Sequence, residues 1–314
     1  MSTGGKLERT CAALAGERPD LIPISLWHHF DPGHVSGRAM AEAHLEHLRK
    51  YDLDYLKVMN DNPYDMPESL PVIEEPGDWR RLEPLPASAP GFTAQLEGLR
   101  ILARQLAGQV MMTTTIFNAF ATSQKLCDRR LPEHLQEDPD SVMAGLATVT
   151  ESLCILAREC LAAGADGVYL ACSGNAENEL SSDDYAKFVL DHDRAVLAAA
   201  DAGTFNFVHV HGDGVDLSLF MDLPGNCLNW NSRLNPPSLR DAAVRTRMCL
   251  VGGWEQNGAV ARGPVQEIVA EARDAIEQTG GRHLLLGAGC TIPSDTPEEF
   301  IRAAVRAARQ ESRR

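Results

Sequence analysis

"GVYLACSGNAENELSSDDYAKFVLDHDRAVLAAADAGTFNFVHVHGDG", residues 167–214, runs from a short apolar segment through a polar stretch and a helical pattern into a second apolar segment. GVYLAC (167–172) and FNFVHV (205–210) are strand-length runs, and the long amphipathic segment between them has the helical period of about 3.6 residues. Two strands joined by a helix of that length pair in parallel, because only a crossover connection returns the chain to the same end of the sheet. The second strand ends on His209 and His211, followed at once by Gly212, Asp213 and Gly214.

Outward from this unit the alternation continues. Further apolar runs occur at 22–27, 55–60, 109–117, 226–231, 248–253 and 283–288, which makes eight in all, with helical patterns between them. Ser, Asp or Pro stands near the start of several helical segments and Gly closes several others. The pattern predicts an α/β chain folded as a (β/α)8 TIM barrel, a single domain over 1–314, with an extra N-terminal helix near 6–16. A doubly wound open sheet is the alternative, but no G-x-G-x-x-G follows the first strand. Pro-rich residues 62–91 read as a long loop after strand 2, either a lid or substrate wall or a passive surface excursion.

Composition excludes several classes. A net charge of −15 without clustered Lys and Arg argues against a nucleic-acid partner. No uninterrupted apolar stretch approaches the roughly 20 residues that span a bilayer, so no membrane partner is expected. The N-terminal segment lacks the hydrophobic centre of a signal peptide, and a cytoplasmic location is the expectation. Eight cysteines are scattered without a C-x-x-C pair and read mostly as small buried apolar residues.

Barrel chemistry sits at the carboxyl ends of the strands. There the sequence places Trp27, His28, His29 and Asp31; Asn60 and Asp61; Phe117 and Asn118; Ser173 and Asn175; His209 and His211; Asn229, Trp230 and Asn231; Trp254 and Glu255; and Cys290. Successive strand side chains face opposite ways, so His209 and His211 share a face, and Cys290 reaches the same mouth from the last strand. Two imidazoles and a thiolate are a three-ligand zinc set with a fourth position open for substrate, Glu255, Asp213 or water. The plainer alternative is that the histidines bond to barrel neighbours and Cys290 fills space. His28, His29, Asp61 and Glu255 are candidates for proton transfer. Trp27, Phe117, Trp230 and Trp254 are candidate pocket walls, and Asn60, Asn118, Ser173, Asn175, Asn229 and Asn231 candidate hydrogen-bonding groups for a polar, modestly charged substrate.

Three stretches carry a family resemblance: "RTCAALAGERPDLIPISLW" near the N-terminus, "GADGVYLACSGNAENELSSDDYAKFVL", and "LGAGCTIPSDTPEEFIRAAVRAAR" near the end. Together they resemble the uroporphyrinogen decarboxylase superfamily over nearly the whole chain. The resemblance implies a barrel, possible homodimers and two chemistries: cofactor-free decarboxylation of uroporphyrinogen, and zinc-dependent methyl transfer from a corrinoid to a thiol. The decarboxylase's R-Q-A-G-R segment is replaced here by "WHHFDPG", which removes the arginines that bind substrate carboxylates; Asp61 and Ser173 match decarboxylase positions. In the methyltransferase pattern, H-x-C and a later cysteine, His209 and Cys290 match while His211 replaces the first cysteine.

The expectation is therefore a zinc-dependent methyl- or alkyl-transfer enzyme acting on a small polar molecule, for which the resemblance implies a corrinoid, or a corrinoid protein, as methyl donor. The rivals are a metal-independent decarboxylase-like lyase on a non-porphyrin carboxylate and a non-catalytic small-molecule-binding barrel.

Overall fold

The computed structural model describes residues 5–177 and 179–313. Among these, seven apolar runs form one parallel sheet in chain order: β1 (Leu56–Val58), β2 (Met112–Phe117), β3 (Gly167–Cys172), β4 (Phe207–Val210), β5 (Cys227–Trp230), β6 (Cys249–Trp254) and β7 (Leu284–Ala288). Helices cover its outer face, and a helix Lys6–Leu14 precedes the sheet.

The run at 22–27, expected as the first strand, is the correction to an eight-strand count. It makes one isolated bridge, Ile24 to Leu286, although it touches both edges of the sheet. Leu286 N donates to Pro23 O at 2.7 Å, Ser25 N to Leu286 O at 3.1 Å, and Asp54 N to Ile24 O at 2.8 Å. The first four residues of the run are short of free donors: Pro23 has no N–H, Ile22 N donates to the Ser312 hydroxyl and Ile24 N to the Asp54 carboxylate, so among them only Ser25 N bonds to a neighbouring strand. The sheet is thus a curled seven-stranded one with a TIM-barrel-like course.

Side-chain parity sorts the strands into two cores. Val208, Val210, Leu228, Trp230, Leu250, Trp254, Leu284 and Leu286 pack beneath the helices. Tyr55, Met59, Tyr169, Phe207, Cys227, Cys249, Val251 and Leu285 converge on the concave side. Tyr55, next to β1, meets Phe205 and Phe207 beside and in β4 at ring separations of 5.7 and 6.3 Å, which only a strongly curled sheet allows.

The segment 62–91, whose Asn62, Tyr64, Met66 and Pro71 line a cavity of about 420 Å³, is anchored in its middle. Its 3-10 turn Pro76–Arg81 lies on the helix Pro139–Ala162, with Trp79 fully buried, its indole donating to His134 Nδ1 at 3.1 Å. A Cβ on Gly145 would come within 2.5 Å of the Trp79 ring, so the helix carries glycine where the indole crosses it. Pro139–Ala162 has the length and composition to cross a membrane; here it packs into the core through Val142, Leu146, Val149, Leu153 and Leu156.

The segment expected as one helix after β3 breaks into Ser182–Phe188 and Leu190–Ala199. The helices Ala119–Leu126 and Leu131–Glu137, which periodicity does not separate from their surroundings, fill the connection after β2.

Candidate metal centre and cavity

At the carboxyl ends of β3, β4 and β7 the sheet opens into a cavity of about 580 Å³. His209 ends up facing it for the reason that Phe207 faces the inner core: both occupy odd positions of β4. His211 lies one residue beyond the strand, its N–H bonded to Cys172 O at 2.9 Å, which prolongs the β3–β4 ladder by one rung. Cys290 comes two residues after β7. The approach there is tight, since a Cβ on Gly289 would sit 2.5 Å from the Asn231 Cα.

The three donor atoms meet. Cys290 Sγ lies 3.5 Å from His209 Nε2 and 3.5 Å from His211 Nδ1, and all three fall within 4.8 Å of one another. Tetrahedral zinc, with bonds of about 2.0–2.1 Å to nitrogen and about 2.3 Å to sulfur, separates an N and an S ligand by about 3.6 Å, so both thiolate–imidazole separations match ligands of one ion. Burial alone would raise the Cys290 thiol, but the two imidazoles outweigh it and hold it well below the ordinary thiol range. The hydrogen bond to Cys290 in turn raises His211 against the effect of burial. A thiolate beside imidazoles is the chemistry a soft divalent ion selects.

The position of His209 is itself supported. Its ring stacks on Tyr169, with centroids 5.1 Å apart and planes at 29°. The Tyr169 hydroxyl donates to Asn229 Oδ1 at 2.8 Å, and Asn229 Nδ2 donates to Val251 O and Ala288 O at 2.9 and 3.1 Å. His209 Nδ1 is buried with no hydrogen-bond partner among the described residues.

Of the other residues singled out from sequence, His29, Phe117 and Ser173 line the same cavity. His29 Nδ1 is 2.9 Å from both carboxylate oxygens of Asp61, and this contact outweighs burial to keep the Asp61 carboxyl below its usual range. Asp61 and Asn60 themselves line a neighbouring cavity of about 420 Å³. His28 turns away into an outer groove between Phe30 and His47, where burial lowers its pKa.

Of the remaining residues, Asn118, Asn175, Glu255, Trp230 and Trp254 are held in structural bonds outside the cavity, whereas the side-chain polar atoms of Trp27 and Asn231 are buried without a hydrogen-bond partner among the described residues. Asn118 caps the helix Ala119–Leu126, accepting from Ala121 N, and donates to Asp193. Asn175 accepts from Asp216 N at 2.8 Å, and Glu255 accepts from Asn257 N at 2.9 Å in a local turn. Trp230 and Trp254 face the helix side, as their even positions require, donating to Asn235 O and Ile268 O. Trp27 lies in the inner core, edge-on to Tyr169 at 5.8 Å, and Asn231 is buried beside Gly289.

The cavity also contains groups that strand-end reading does not reach, chiefly Lys57, Tyr169, Glu179 and Lys125. Lys57 is buried on the concave face of β1, and burial pushes its pKa down to about 7. The available signal was a lysine within the otherwise apolar run YLKVM.

The family described as uroporphyrinogen decarboxylase (URO-D) matches residues 6–311. A methyltransferase from Methanosarcina mazei superimposes with a TM-score of 0.78 at 20% identity, covering 98% of each chain. A Listeria monocytogenes protein assigned as a vitamin-B12-independent methionine synthase has a TM-score of 0.58 at 12% identity, covering 87% of each chain. A B12-independent methionine synthase from a Shewanella species has a TM-score of 0.50 at 12% identity, over 69% of this chain and 65% of that one. At these identities the likeness is one of fold. A search of curated proteins gave no match.

Proposed function

Because the chain belongs to the uroporphyrinogen decarboxylase family, we propose that it is a zinc-dependent methyl- or alkyl-transfer enzyme, a single barrel domain closed by the 22–27 segment. The observation that carries this reading is the convergence of His209, His211 and Cys290 from two strand ends on one point beside a cavity. The Methanosarcina methyltransferase, similar over its full length, supports the same reading.

His209, His211 and Cys290 would hold the ion, and zinc bound there would act as a Lewis acid that favours the deprotonated form of a thiol substrate. The chain's own residues do the rest. Phe117 and Tyr169 give the cavity apolar walls that exclude water from the reacting sulfur. His29, oriented by Asp61, accepts the thiol proton. As the sulfur's electron pair forms the new S–C bond, the donor–methyl bond breaks and its electron pair stays with the donor, for which a corrinoid is the proposed carrier.

Protein purified without a polyhistidine tag, loaded with zinc and incubated with methylcobalamin and a simple thiol, is expected to form the thioether and release demethylated cobalamin. Cys290→Ala and His211→Ala are expected to lose both zinc and turnover. Metal-free protein that turns over as fast as the zinc form would overturn the proposal.

A further inference from the structure

A fully buried lysine Nζ lines the same cavity, and none of the described carboxylates forms an ion pair with it. Lys57 is 3% exposed and takes part in no ion pair. Its Nζ has as neighbours the thioether of Met59 at 2.8 Å, the ring face of Tyr169 at 4.6 Å and that of Trp27 at 6.0 Å. A thioether is a weak acceptor and aromatic faces replace only part of the hydration an ammonium loses; the Cys290 thiolate and Asp61 act on Nζ only through space, so when protonated it has no hydrogen-bonded counter-ion. Its place in the fold is not accidental to the site. Tyr55, Lys57 and Met59 share the concave face of β1, and Tyr169, which underlies Lys57, also stacks on His209.

The geometry points to Lys57 as the anchor for a carboxylate on the substrate, which is therefore a small organic acid. This rests on the reading of the cavity as the substrate site. A carboxylate reaching Nζ would form a charge-assisted hydrogen bond in a place shielded from water, where such a bond is strongest. Aromatic and threonine side chains on the adjoining walls, Phe117, Phe120 and Thr115, leave the body of the ligand in mostly neutral surroundings. Lys125 and Arg129 at the cavity's side are matched by Asp128 and Glu179 on the same walls, so Lys57 is the cationic side chain that the lining leaves without a matching carboxylate.

The test uses benzoate and its neutral isostere benzamide, titrated calorimetrically into the full-length protein, both zinc-loaded and stripped with chelator. Benzoate is expected to bind at least tenfold more tightly than benzamide in both forms, and Lys57→Met and Lys57→Gln are expected to bring the ratio to about one. A ratio near one in wild type overturns the assignment. So does a preference that survives both substitutions but disappears with the metal, since the carboxylate is then a metal ligand. Failure of the protein to bind zinc at all contradicts the proposed metal chemistry while leaving the benzoate preference to be read in the same experiment. Circular dichroism and melting of the two variants separate lost binding from lost folding.

Discussion

The imidazole of His209 lies against the phenol ring of Tyr169 on the neighbouring strand, centroids 5.1 Å apart, and the phenol hydroxyl is tied through Asn229 to the backbones of β6 and β7. One residue thus links the proposed metal ligand to four strands of the sheet. Tyr169→Phe keeps the stack but leaves the buried Asn229 oxygen without its donor, so unfolding free energy should fall by about 1–3 kcal/mol with zinc affinity little changed. Tyr169→Leu removes the stacked face and should weaken zinc by about tenfold or more. Urea unfolding and chelator competition check both; equal zinc affinity in Tyr169→Leu contradicts the supporting role.

Gly289 positions the thiolate. An added methyl would meet the Asn231 backbone at 2.5 Å, too close for either strand end to absorb without moving. Gly289→Ala should displace Cys290 and lower zinc affinity by about tenfold or more, read in the same competition. Wild-type affinity in that variant removes Gly289 from the account of the site.

Lys57 gives stability a pH dependence whose sign follows from its depressed pKa. Folding lowers it from 10.5 to about 7 by burial, so between those values the unfolded chain binds a proton that the folded chain does not. Stability of the wild type relative to Lys57→Met should therefore rise with pH from about 7 to about 10, by at most about 1.4 kcal/mol per pH unit. Below pH 7 the difference should be flat. Denaturant midpoints of both proteins at pH 6, 7, 8 and 9 give the slope, and parallel curves would show that Lys57 is not held in the buried state described.

Asp61→Asn keeps a hydrogen-bond acceptor near His29 but removes the charge that orients and supports it. Turnover should fall by about 10²-fold or more with zinc content unchanged. A variant with full turnover assigns the dyad to the surface rather than to proton transfer.

Trp79 separates core from site. Trp79→Ala should cost about 3–5 kcal/mol of stability, because the indole is fully enclosed, while per-molecule turnover of the folded fraction stays near wild type. A selective loss of turnover would restore the segment 62–91 as a moving wall.

Much of this could be read from the chain alone, and the gaps have physical causes. Strand alternation correctly puts His209 inward with Phe207, and the carboxyl-end rule brings Cys290 to the same mouth. The same alternation, applied to Trp230 and Trp254, would have sent them to the helix side; strand-end position alone does not tell a wall from a core residue. Asn118, Asn175 and Asn229 sit where backbone groups leave the sheet, and there amides cap and bridge as readily as they bind a ligand. The 22–27 run looked like a strand because apolar patterning does not register that Pro23 lacks a donor and that side chains take the N–H groups of Ile22 and Ile24. Lys57 was hidden for the opposite reason: a single lysine in an apolar run reads as a solvated tip until the sheet curls around it.

The most direct measurement is X-ray absorption at the zinc edge of untagged, zinc-loaded protein. One sulfur at about 2.3 Å and two imidazole nitrogens at about 2.0–2.1 Å are expected, with the sulfur lost in Cys290→Ala. A first shell without sulfur, or a protein that retains no zinc after removal of excess metal, would contradict a centre built from His209, His211 and Cys290.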